Sequence, residues 1–532
     1  MDDKLLRPYD PKNTEERIYK LWEDSGFFNP DNLPGERKET FTIIMPPVNA
    51  NGSLHAGHGL VMAIEDIMVR YKRMQGFKTL WLPGLDHAGF ETQVVYEKKL
   101  EKEGRSRFGM DRDELYKEIL DFTLNNSTNI KSQIRKMGAS CDWSREKFTL
   151  DPDVIKTVYQ TFQRMYDDNL IYRGERIVSW CSKHQTSFSD LEIKDEERVS
   201  KLYTFKYSSD FPILISSTRP ETKVGDTAVA VNPEDERYAE FIGKGYDIEN
   251  FCGVPLHIKI IADKEVDPKF GTGALGVTPA HSKIDWEMAE RHHLPKKQVI
   301  NEQGKMMVGG EELLSKKANE AREIIVEWLK KENLLVNVDE NYKQVVPTCY
   351  KCGTVIEPQI KNQWFVKMKP LAEKALEKIE KEEIKYIPEH YKKITTHWLS
   401  NIMDWNISRQ IVWGIPIPAK LCQTCGHGMA DVENKISKCD KCGGEVATDT
   451  DTFDTWFSSG QWPFVTLGYP NGEDLKTFYP TDVMETAGEI IFFWVSRMIM
   501  LGLYVTGEIP FKNVYLHGLV LDAKGLKMSK SK

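Results

Sequence analysis

A β-rich run that leads through a tight loop into a helix is the feature that most constrains the fold. The run 41–45 (FTIIM) is apolar and β-branched, and Pro46, Pro47 and Gly52 follow it closely. From 60 to 74 the apolar residues recur at the spacing of one helix face. A strand that passes through a turn into a helix is the building unit of parallel sheets, so this segment predicts an α/β fold.

The alternation of strand and helix patterns continues along the N-terminal part of the chain. A second strand pattern covers 77–82. Three helical patterns then follow, at 91–103, 111–137 and 153–169. Alternation resumes after Trp364 and ends in a strand pattern at 514–521. Because parallel strands are joined by right-handed crossovers, this alternation predicts a Rossmann-type parallel sheet.

The middle of the chain has a different texture and predicts an inserted domain. Short strand patterns occupy 202–207, 211–216 and 227–231, and a charged helical pattern covers 311–332. This mixture favours an α+β, β-barrel-like domain over a parallel sheet. We therefore predict three segments, namely a first α/β half at 1–195, an insertion at 196–345 and a second α/β half at 346–532.

Length and composition indicate a soluble protein of several domains. The chain has 532 residues, of which 40% are hydrophobic and 29% charged. Ser496 and Arg497 interrupt the apolar run 490–505, so this run predicts a buried helix. No secretory signal pattern is recognisable, and we expect a cytoplasmic, monomeric protein without membrane contact. The net charge of -8 disfavours indiscriminate nucleic-acid binding but is compatible with a local basic groove.

Four of the nine cysteines form a zinc-ribbon pattern. Cys422 and Cys425 make one C-x-x-C pair, and Cys439 and Cys442 make a second, with glycines close behind both pairs. Four thiolates at this spacing predict a closed tetrahedral structural zinc site.

A second zinc site is predicted from two half-sets that flank the insertion. Cys349 and Cys352 are one half, and Cys181 with His184 is the other. If the insertion leaves and re-enters the α/β domain at neighbouring points, these halves meet as a site of three cysteines and one histidine. The alternative is an unpaired Cys181 with a surface His184.

Two histidines stand where the first loop enters its helix. A helix N-terminus offers unpaired backbone N–H groups and a partial positive charge, which suit phosphate. His55 and His58 add side-chain donors, and Gly57 between them lets a flat ring such as adenine approach the backbone. The alternative is a turn with two incidental histidines.

The sequence KMSKS at 527–531 is a second candidate phosphate-binding element. Lys527 and Lys530, with Ser529 between them, would form a basic loop suited to the α-phosphate and pyrophosphate. The alternative is a solvated basic tail.

Together with further strings, these motifs resemble one enzyme family. HxGH followed by KMSKS matches the class I aminoacyl-tRNA synthetases, and the likeness from Tyr9 onward is to the valyl-tRNA synthetases. The other strings that carry it are PPVNANGSLH at 46–55, DHAG at 86–89 with Thr92 and Gln93, DWNISRQ at 404–410, DTWFSS at 454–459 and IIFFWV at 490–495.

The resemblance implies an enzyme that forms valyl-AMP from valine and Mg²⁺–ATP and transfers the valyl group to tRNA(Val). Pro47, Trp456 and Ile491 would wall an apolar slot for the valine side chain, and Asn49 and Asp86 would hold its ammonium group. His55, His58, Lys527 and Lys530 would act catalytically by stabilising phosphate charge, with Gly57 and Ser529 also contacting ATP.

The resemblance also makes the insertion an editing domain. An apolar slot cannot strongly reject threonine, which is isosteric with valine, so a second hydrolytic site is expected. Thr218 belongs to a matching motif in which Arg219 and Thr222 would contact the terminal adenosine. Thr278 would line the editing pocket, and Asp285 would hold the α-amino group of a misattached residue.

This chain departs from the family pattern at two editing positions. Gly276 stands where the family commonly has lysine, and Ser282 stands where it commonly has the aspartate that reads the threonine hydroxyl. Serine bonds a hydroxyl without the help of charge, so we expect weaker or altered editing of threonine.

Family members continue beyond KMSKS with a helical anticodon-binding domain and a C-terminal coiled coil. Because the sequence stops at Lys532, we expect an N-terminal fragment. Two alternatives stay open, an isoleucyl-tRNA synthetase and a non-catalytic or editing-only tRNA-binding fragment.

Overall fold

The computed structural model describes residues 8–525 and 528 and divides into two compact units. The split unit consists of the chain up to Arg173 together with the chain from Trp364 onward, and the inserted unit is Gly174–Gln363. The predicted insertion, 196–345, falls inside the inserted unit. Lys527, Ser529 and Lys530 lie outside the described residues.

Helices occur in both units, although most belong to the split unit. The helices are α1 Pro11–Asp24, α2 Ala56–Met74, α3 Gly89–Lys102, α4 Arg112–Lys136, α5 Pro152–Asp167, α6 Lys283–His292, α7 Ala318–Lys331, α8 Lys369–Glu380, α9 His390–Ser400, α10 Thr455–Ser459, α11 Trp462–Val465, α12 Glu473–Phe478 and α13 Ser496–Thr506.

Most strands are shorter than the helices, and the longest are β8 and β14 of the inserted unit. They are β1 Thr40–Ile44, β2 Val48–Asn49, β3 Lys78–Leu82, β4 Gly84–Asp86, β5 Lys147–Phe148, β6 Ile171–Cys181, β7 Thr186–Phe188, β8 Ile193–Phe205, β9 Ile215–Ser217, β10 Ala228–Val231, β11 Gly245–Phe251, β12 Val254–Ala262, β13 Ala274–Val277, β14 Leu335–Cys349, β15 Glu357–Val366, β16 Lys385–Ile387, β17 Trp405–Asn406, β18 Ser408–Arg409, β19 Ala419–Cys422, β20 Gly428–Ala430, β21 Val446–Thr448, β22 Thr452–Phe453, β23 Thr481–Ala487 and β24 Phe511–His517.

A five-stranded parallel sheet forms the centre of the split unit, in the order β16-β24-β23-β1-β3. Four of the five residues in both β1 and β3 are buried. This burial is typical of parallel strands covered on both faces. The predicted parallel α/β sheet is therefore confirmed. Its chain order reverses between β1 and β23, and ligands of open α/β sheets bind at the carboxyl ends of strands at such a point.

A smaller parallel sheet, β2-β4-β5, holds the loops beyond the end of β1. Its register places Asn49 directly beside Asp86. An added Cβ on Gly84 would lie 2.2 Å from the Trp462 ring, so β4 reaches this position only because residue 84 has no side chain.

The inserted unit is a mixture of strands and short helices. One four-stranded sheet has the order β11-β12-β10-β13, and a three-stranded antiparallel sheet has the order β14-β8-β9. Its core contains aromatic side chains such as Phe205, Phe211 and Phe251, together with the apolar face of α7. The predicted α+β character of this region agrees with these elements.

Three sequence-based boundaries are wrong. The helix predicted at 311–332 begins only at Ala318, because Ser315 has a φ of 64° and the residues before it form turns. The strand predicted at 211–216 is reduced to β9, since Pro212 lacks the N–H that a sheet requires. The last strand runs from Phe511 to His517 and not from 514 to 521.

The most apolar helical run of the described residues is buried. Gly488–Thr506 is long and apolar enough to cross a membrane, but 72% of its most apolar window lies inside the protein. A π-helical turn, Ile491–Val495, leads into α13. The run is therefore a core helix, as its sequence predicts.

Candidate functional site

His55 and His58 lie at the start of α2, at the carboxyl end of β1. His55 is the N-cap, and its Nδ1 accepts the Gly57 backbone N–H at 3.1 Å. His58 Nδ1 accepts the His55 backbone N–H, also at 3.1 Å. A neutral imidazole whose Nδ1 accepts carries its proton on Nε2, so both rings present a donor at Nε2. An added Cβ on Gly57 would lie 2.9 Å from the His55 ring, so this arrangement requires glycine.

Two buried carboxyl groups, one on α2 and one on β23, were missed by sequence reasoning. Glu65 of α2 accepts a hydrogen bond from Trp81 Nε1 at 2.7 Å, and Glu485 of β23 pairs with His517. Burial and the neighbouring Glu485 raise the pKa of Glu65 well above its usual range. For Glu65, the signal in the sequence was an acidic residue inside an otherwise apolar helix face.

Asp86 is the best-defined polar residue among those predicted to hold an ammonium group. It is 5% exposed, and its Oδ1 accepts from the Ala88 N–H at 2.8 Å and from the Thr149 and Thr455 hydroxyls at 3.1 and 3.3 Å. Ala88 adopts a φ of 54°, which is uncommon for a residue with a side chain. These contacts fix the carboxylate beside Asn49, which is exposed.

His87, next to Asp86, is a buried neutral ring. Burial lowers its pKa, although Asp86 opposes this shift. His87 Nδ1 hydrogen-bonds the Thr149 hydroxyl at 2.7 Å, and the ring packs edge-on against Trp413. His87 therefore supports the Asp86 loop by packing and not by charge.

Two of the three predicted side-chain pocket residues belong to one apolar cluster. Ile491 is 2% exposed, and Trp456 packs against the same cluster while half-buried. Trp456 lies in α10, whose N-cap Asp454 accepts the Trp456 N–H at 3.0 Å. Pro47 lies in the loop between β1 and β2 and is also half-buried.

In the inserted unit, Thr278 and Asp285, which were both predicted as editing-site residues, are hydrogen-bonded to each other. Asp285 Oδ2 accepts the Thr278 N–H at 2.7 Å, and Asp285 Oδ1 accepts the Ser282 hydroxyl at 2.9 Å. Ser282 is the N-cap of α6. Ser282, which stands where the family commonly has aspartate, therefore caps this helix.

Arg219 and Thr222 are engaged in internal contacts. The Arg219 guanidinium bonds Glu221 at 3.1 Å and Glu357 at 2.6 Å, and these carboxylates raise its pKa against the effect of burial. The Thr222 hydroxyl donates to the Arg219 carbonyl at 3.0 Å. Thr218 lies beside them and donates to Gln344 at 3.2 Å.

The four ribbon cysteines lie at metal-binding distances. Cys422 Sγ and Cys442 Sγ are 3.4 Å apart, and Cys425 Sγ and Cys439 Sγ are 3.7 Å apart. Four sulfurs at about 2.3 Å from one zinc ion are separated by about 3.8 Å, so the set fits a tetrahedral metal. None of these cysteines forms a disulfide.

The second cysteine set also comes together, wholly within the inserted unit. Cys181, Cys349 and Cys352 place their sulfurs close enough to share one metal ion, and Cys181 Sγ lies 3.6 Å from Cys352 Sγ. His184 is buried and interacts with the Cys352 thiol.

A family model described as "tRNA synthetases class I (I, L, M and V)" matches residues 17–532. Curated relatives include the valine–tRNA ligases of Clostridium acetobutylicum (46% identical, 99% of this chain, 60% of the relative), Carboxydothermus hydrogenoformans (47%, 98% and 59%) and Thermotoga maritima (46%, 99% and 61%). The chain thus spans about 60% of the length of these relatives.

A solved structure with a similar fold is LeuRS from Agrobacterium radiobacter K84, crystallised in a ternary complex with tRNA and LeuAMS. It is 19% identical with a TM-score of 0.52, and the match covers 98% of this chain and 70% of that chain. This likeness supports the fold alone.

Proposed function

The chain belongs to the class I tRNA synthetases, and from this membership we propose that it activates valine with ATP and transfers it to tRNA(Val). The observation that carries the choice of valine is the identity of about 46% with valine–tRNA ligases along nearly the whole chain. The positions of Asp86, His55 and His58 agree with this choice, because they lie at or beside the carboxyl end of β1.

In the first step, a carboxylate oxygen of valine attacks the α-phosphorus of ATP, and pyrophosphate leaves with the electron pair of the broken P–O bond. ATP enters as its magnesium complex, which supplies charge neutralisation on the phosphate oxygens. The Nε2 donors of His55 and His58 would hydrogen-bond those oxygens as charge develops. Lys527 and Lys530 would contribute further positive charge.

In the second step, a hydroxyl of the terminal tRNA adenosine attacks the valyl carbonyl carbon, and AMP leaves. No side chain forms a covalent intermediate, so catalysis would consist of positioning and electrostatic stabilisation. Asp86 would fix the ammonium group and, with Asn49, the orientation of valine. Trp456, Ile491 and Pro47 would contact its isopropyl group.

ATP–pyrophosphate exchange with valine, isoleucine and threonine tests this proposal. We expect exchange with valine, weaker exchange with threonine and little with isoleucine. Exchange that depends on isoleucine but not on valine would instead establish an isoleucyl enzyme. Binding of tRNA or hydrolysis of threonyl-tRNA without any exchange would identify an editing-only fragment.

We further propose that the inserted unit hydrolyses threonyl-tRNA(Val). Thr278 and Asp285 would line the pocket, and Arg219, Thr222 and Thr218 would lie near the terminal adenosine. The 196–345 limits and the barrel-like form of this editing domain remain predictions, as do a cytoplasmic location and a monomeric state.

We propose zinc as the metal of both cysteine sets. His184, which interacts with the Cys352 thiol, would be the fourth ligand beside Cys181, Cys349 and Cys352. Thiols that cluster without forming disulfides, at sulfur distances near those of a tetrahedron, are the reason for this choice. Both sites would be structural, because neither leaves a coordination position for substrate.

Replacing Cys439 by alanine is expected to remove about one equivalent of zinc, since three remaining thiolates no longer close the tetrahedron. Metal content of the purified protein, measured by atomic emission, checks this. Cys141→Ala is the matched control, because Cys141 is buried outside both clusters and should leave the zinc content unchanged. Equal zinc in both variants would contradict the assignment.

A further inference from the structure

Lys223 is a buried lysine in the inserted unit whose role the sequence did not reveal. It lies in the 3-10 turn Pro220–Gly225 and is 5% exposed. Its Nζ donates to the Gly276 carbonyl at 2.7 Å, to the Thr278 hydroxyl at 2.8 Å and to Asp226 Oδ1 at 3.2 Å. All three hydrogens of the ammonium group therefore have an acceptor.

Asp226 is the counter-charge of this ammonium group and is fully buried. It also accepts hydrogen bonds from the Tyr207 and Thr278 hydroxyls. Burial raises the pKa of Asp226, and Lys223 opposes this shift. A buried ion pair adds little net stability compared with apolar residues, so the groups that the pair orients are the better guide to its role.

Residue 276, whose carbonyl accepts from the Lys223 ammonium group, must be glycine. A Cβ at residue 276 would lie 2.5 Å from both Asp226 Oδ2 and the Tyr207 hydroxyl, so no side chain fits there. The Gly276 carbonyl instead accepts from Lys223. The positive charge beside Asp226 thus belongs to residue 223, which comes directly after Thr222 in the turn Pro220–Gly225.

The Lys223–Asp226 pair determines how the Thr278 hydroxyl is hydrogen-bonded. Its hydroxyl donates to Asp226 and accepts from Lys223, and its N–H is bound by Asp285. A hydroxyl with its hydrogen used retains one lone pair, so Thr278 presents an acceptor and no donor. The remaining lone pair can accept a hydrogen bond from a ligand hydroxyl but not from a methyl group.

We propose that Lys223 is a positioning residue of the editing site, which fixes the Thr278 hydroxyl as an acceptor for the side-chain hydroxyl of a misattached β-hydroxy amino acid. This inference rests on the editing function proposed above. On this inference, Lys223 supplies a positive charge beside Thr278 although residue 276 is glycine and residue 282 is serine.

The test compares hydrolysis of threonyl-tRNA(Val) and valyl-tRNA(Val) by the chain and by Lys223→Met. We expect the ratio of the two kcat/KM values to fall about tenfold to a hundredfold, the effect of one lost hydrogen bond to a buried group. Lys223→Arg keeps the charge and should recover part of the ratio. Binding of 2′-(threonylamino)-2′-deoxyadenosine and its valyl counterpart, measured by calorimetry, should show the same loss without requiring the tRNA body.

The double variant Lys223→Met/Asp226→Asn separates positioning from structural support. It contains no unpaired buried charge, so its melting temperature should return towards that of the parent chain, while discrimination stays low. Full recovery of discrimination in the double variant, or an unchanged ratio in Lys223→Met, would overturn the inference alone. A parent chain that neither hydrolyses threonyl-tRNA(Val) nor binds the threonyl analogue would overturn the editing function as well.

Discussion

Asp86→Asn is expected to lower valine-dependent ATP–pyrophosphate exchange by about 10³-fold in kcat/KM, because a buried carboxylate facing an ammonium group contributes about 3–5 kcal/mol. Asparagine keeps an Oδ1 acceptor for the Ala88 N–H and the two threonine hydroxyls, so the loop should retain its shape. The loss should therefore come from the missing charge.

A substrate without the ammonium group sharpens this prediction. The parent chain should prefer valine strongly over 2-hydroxyisovalerate, and Asp86→Asn should lose most of that preference. The matched control is Asp482→Asn. Asp482 lies near the start of β23 and pairs with Lys512. Exchange by the control should stay within about twofold of the parent, as for most changes away from a site. Exchange by Asp86→Asn within a few-fold of the parent would contradict the assignment.

Arg409→Met is expected to have the largest effect on stability, about 3–5 kcal/mol, because it breaks a buried ion pair and leaves Asp454 with only the more distant Arg497, at 3.8 Å, as counter-charge. Arg409 and Asp454 are 2% and 1% exposed, and Arg409 NH2 lies 2.8 Å from Asp454 Oδ2. Asp454 also caps α10, so Trp456, which we propose as a wall of the valine pocket, should become less firmly held at the same time.

Urea unfolding followed by circular dichroism measures this effect. The double variant Arg409→Met/Asp454→Asn should recover part of the stability, since the carboxylate that has lost Arg409 is removed as well. Arg135→Met serves as the control, because its pair with Glu23 is more than a third exposed and should contribute less than about 1 kcal/mol. Similar unfolding midpoints for Arg409→Met and Arg135→Met would refute the prediction.

The sequence predicts the α/β framework well because its signals are local. Helix α4, for example, was expected at 111–137 and runs from Arg112 to Lys136. Apolar spacing within one segment determines such helices, and no distant partner is needed. The helix expected at 311–332 begins only at Ala318, because the left-handed Ser315 interrupts the pattern that charge and spacing alone would continue.

The site residues that the sequence predicts are likewise those that belong to local motifs. His55, His58, Asn49 and Asp86 stand in recognisable strings, and the sheet brings the last two into register. Lys223 has no such signal, because its partners Gly276 and Thr278 are more than fifty residues away along the chain. Glu65 and Glu485 were missed for the same reason, since neither belongs to a motif.

The crowding around Gly276 also limits how this protein can change. Any residue larger than glycine at 276 would collide with Asp226 and Tyr207, so a lysine there is inaccessible by a single substitution in the present background. Residue 207 or 226 would have to change first, and a change at 226 would remove one of the three acceptors of Lys223. The order of mutations is therefore constrained, and the identities of these four residues should be inherited as a group.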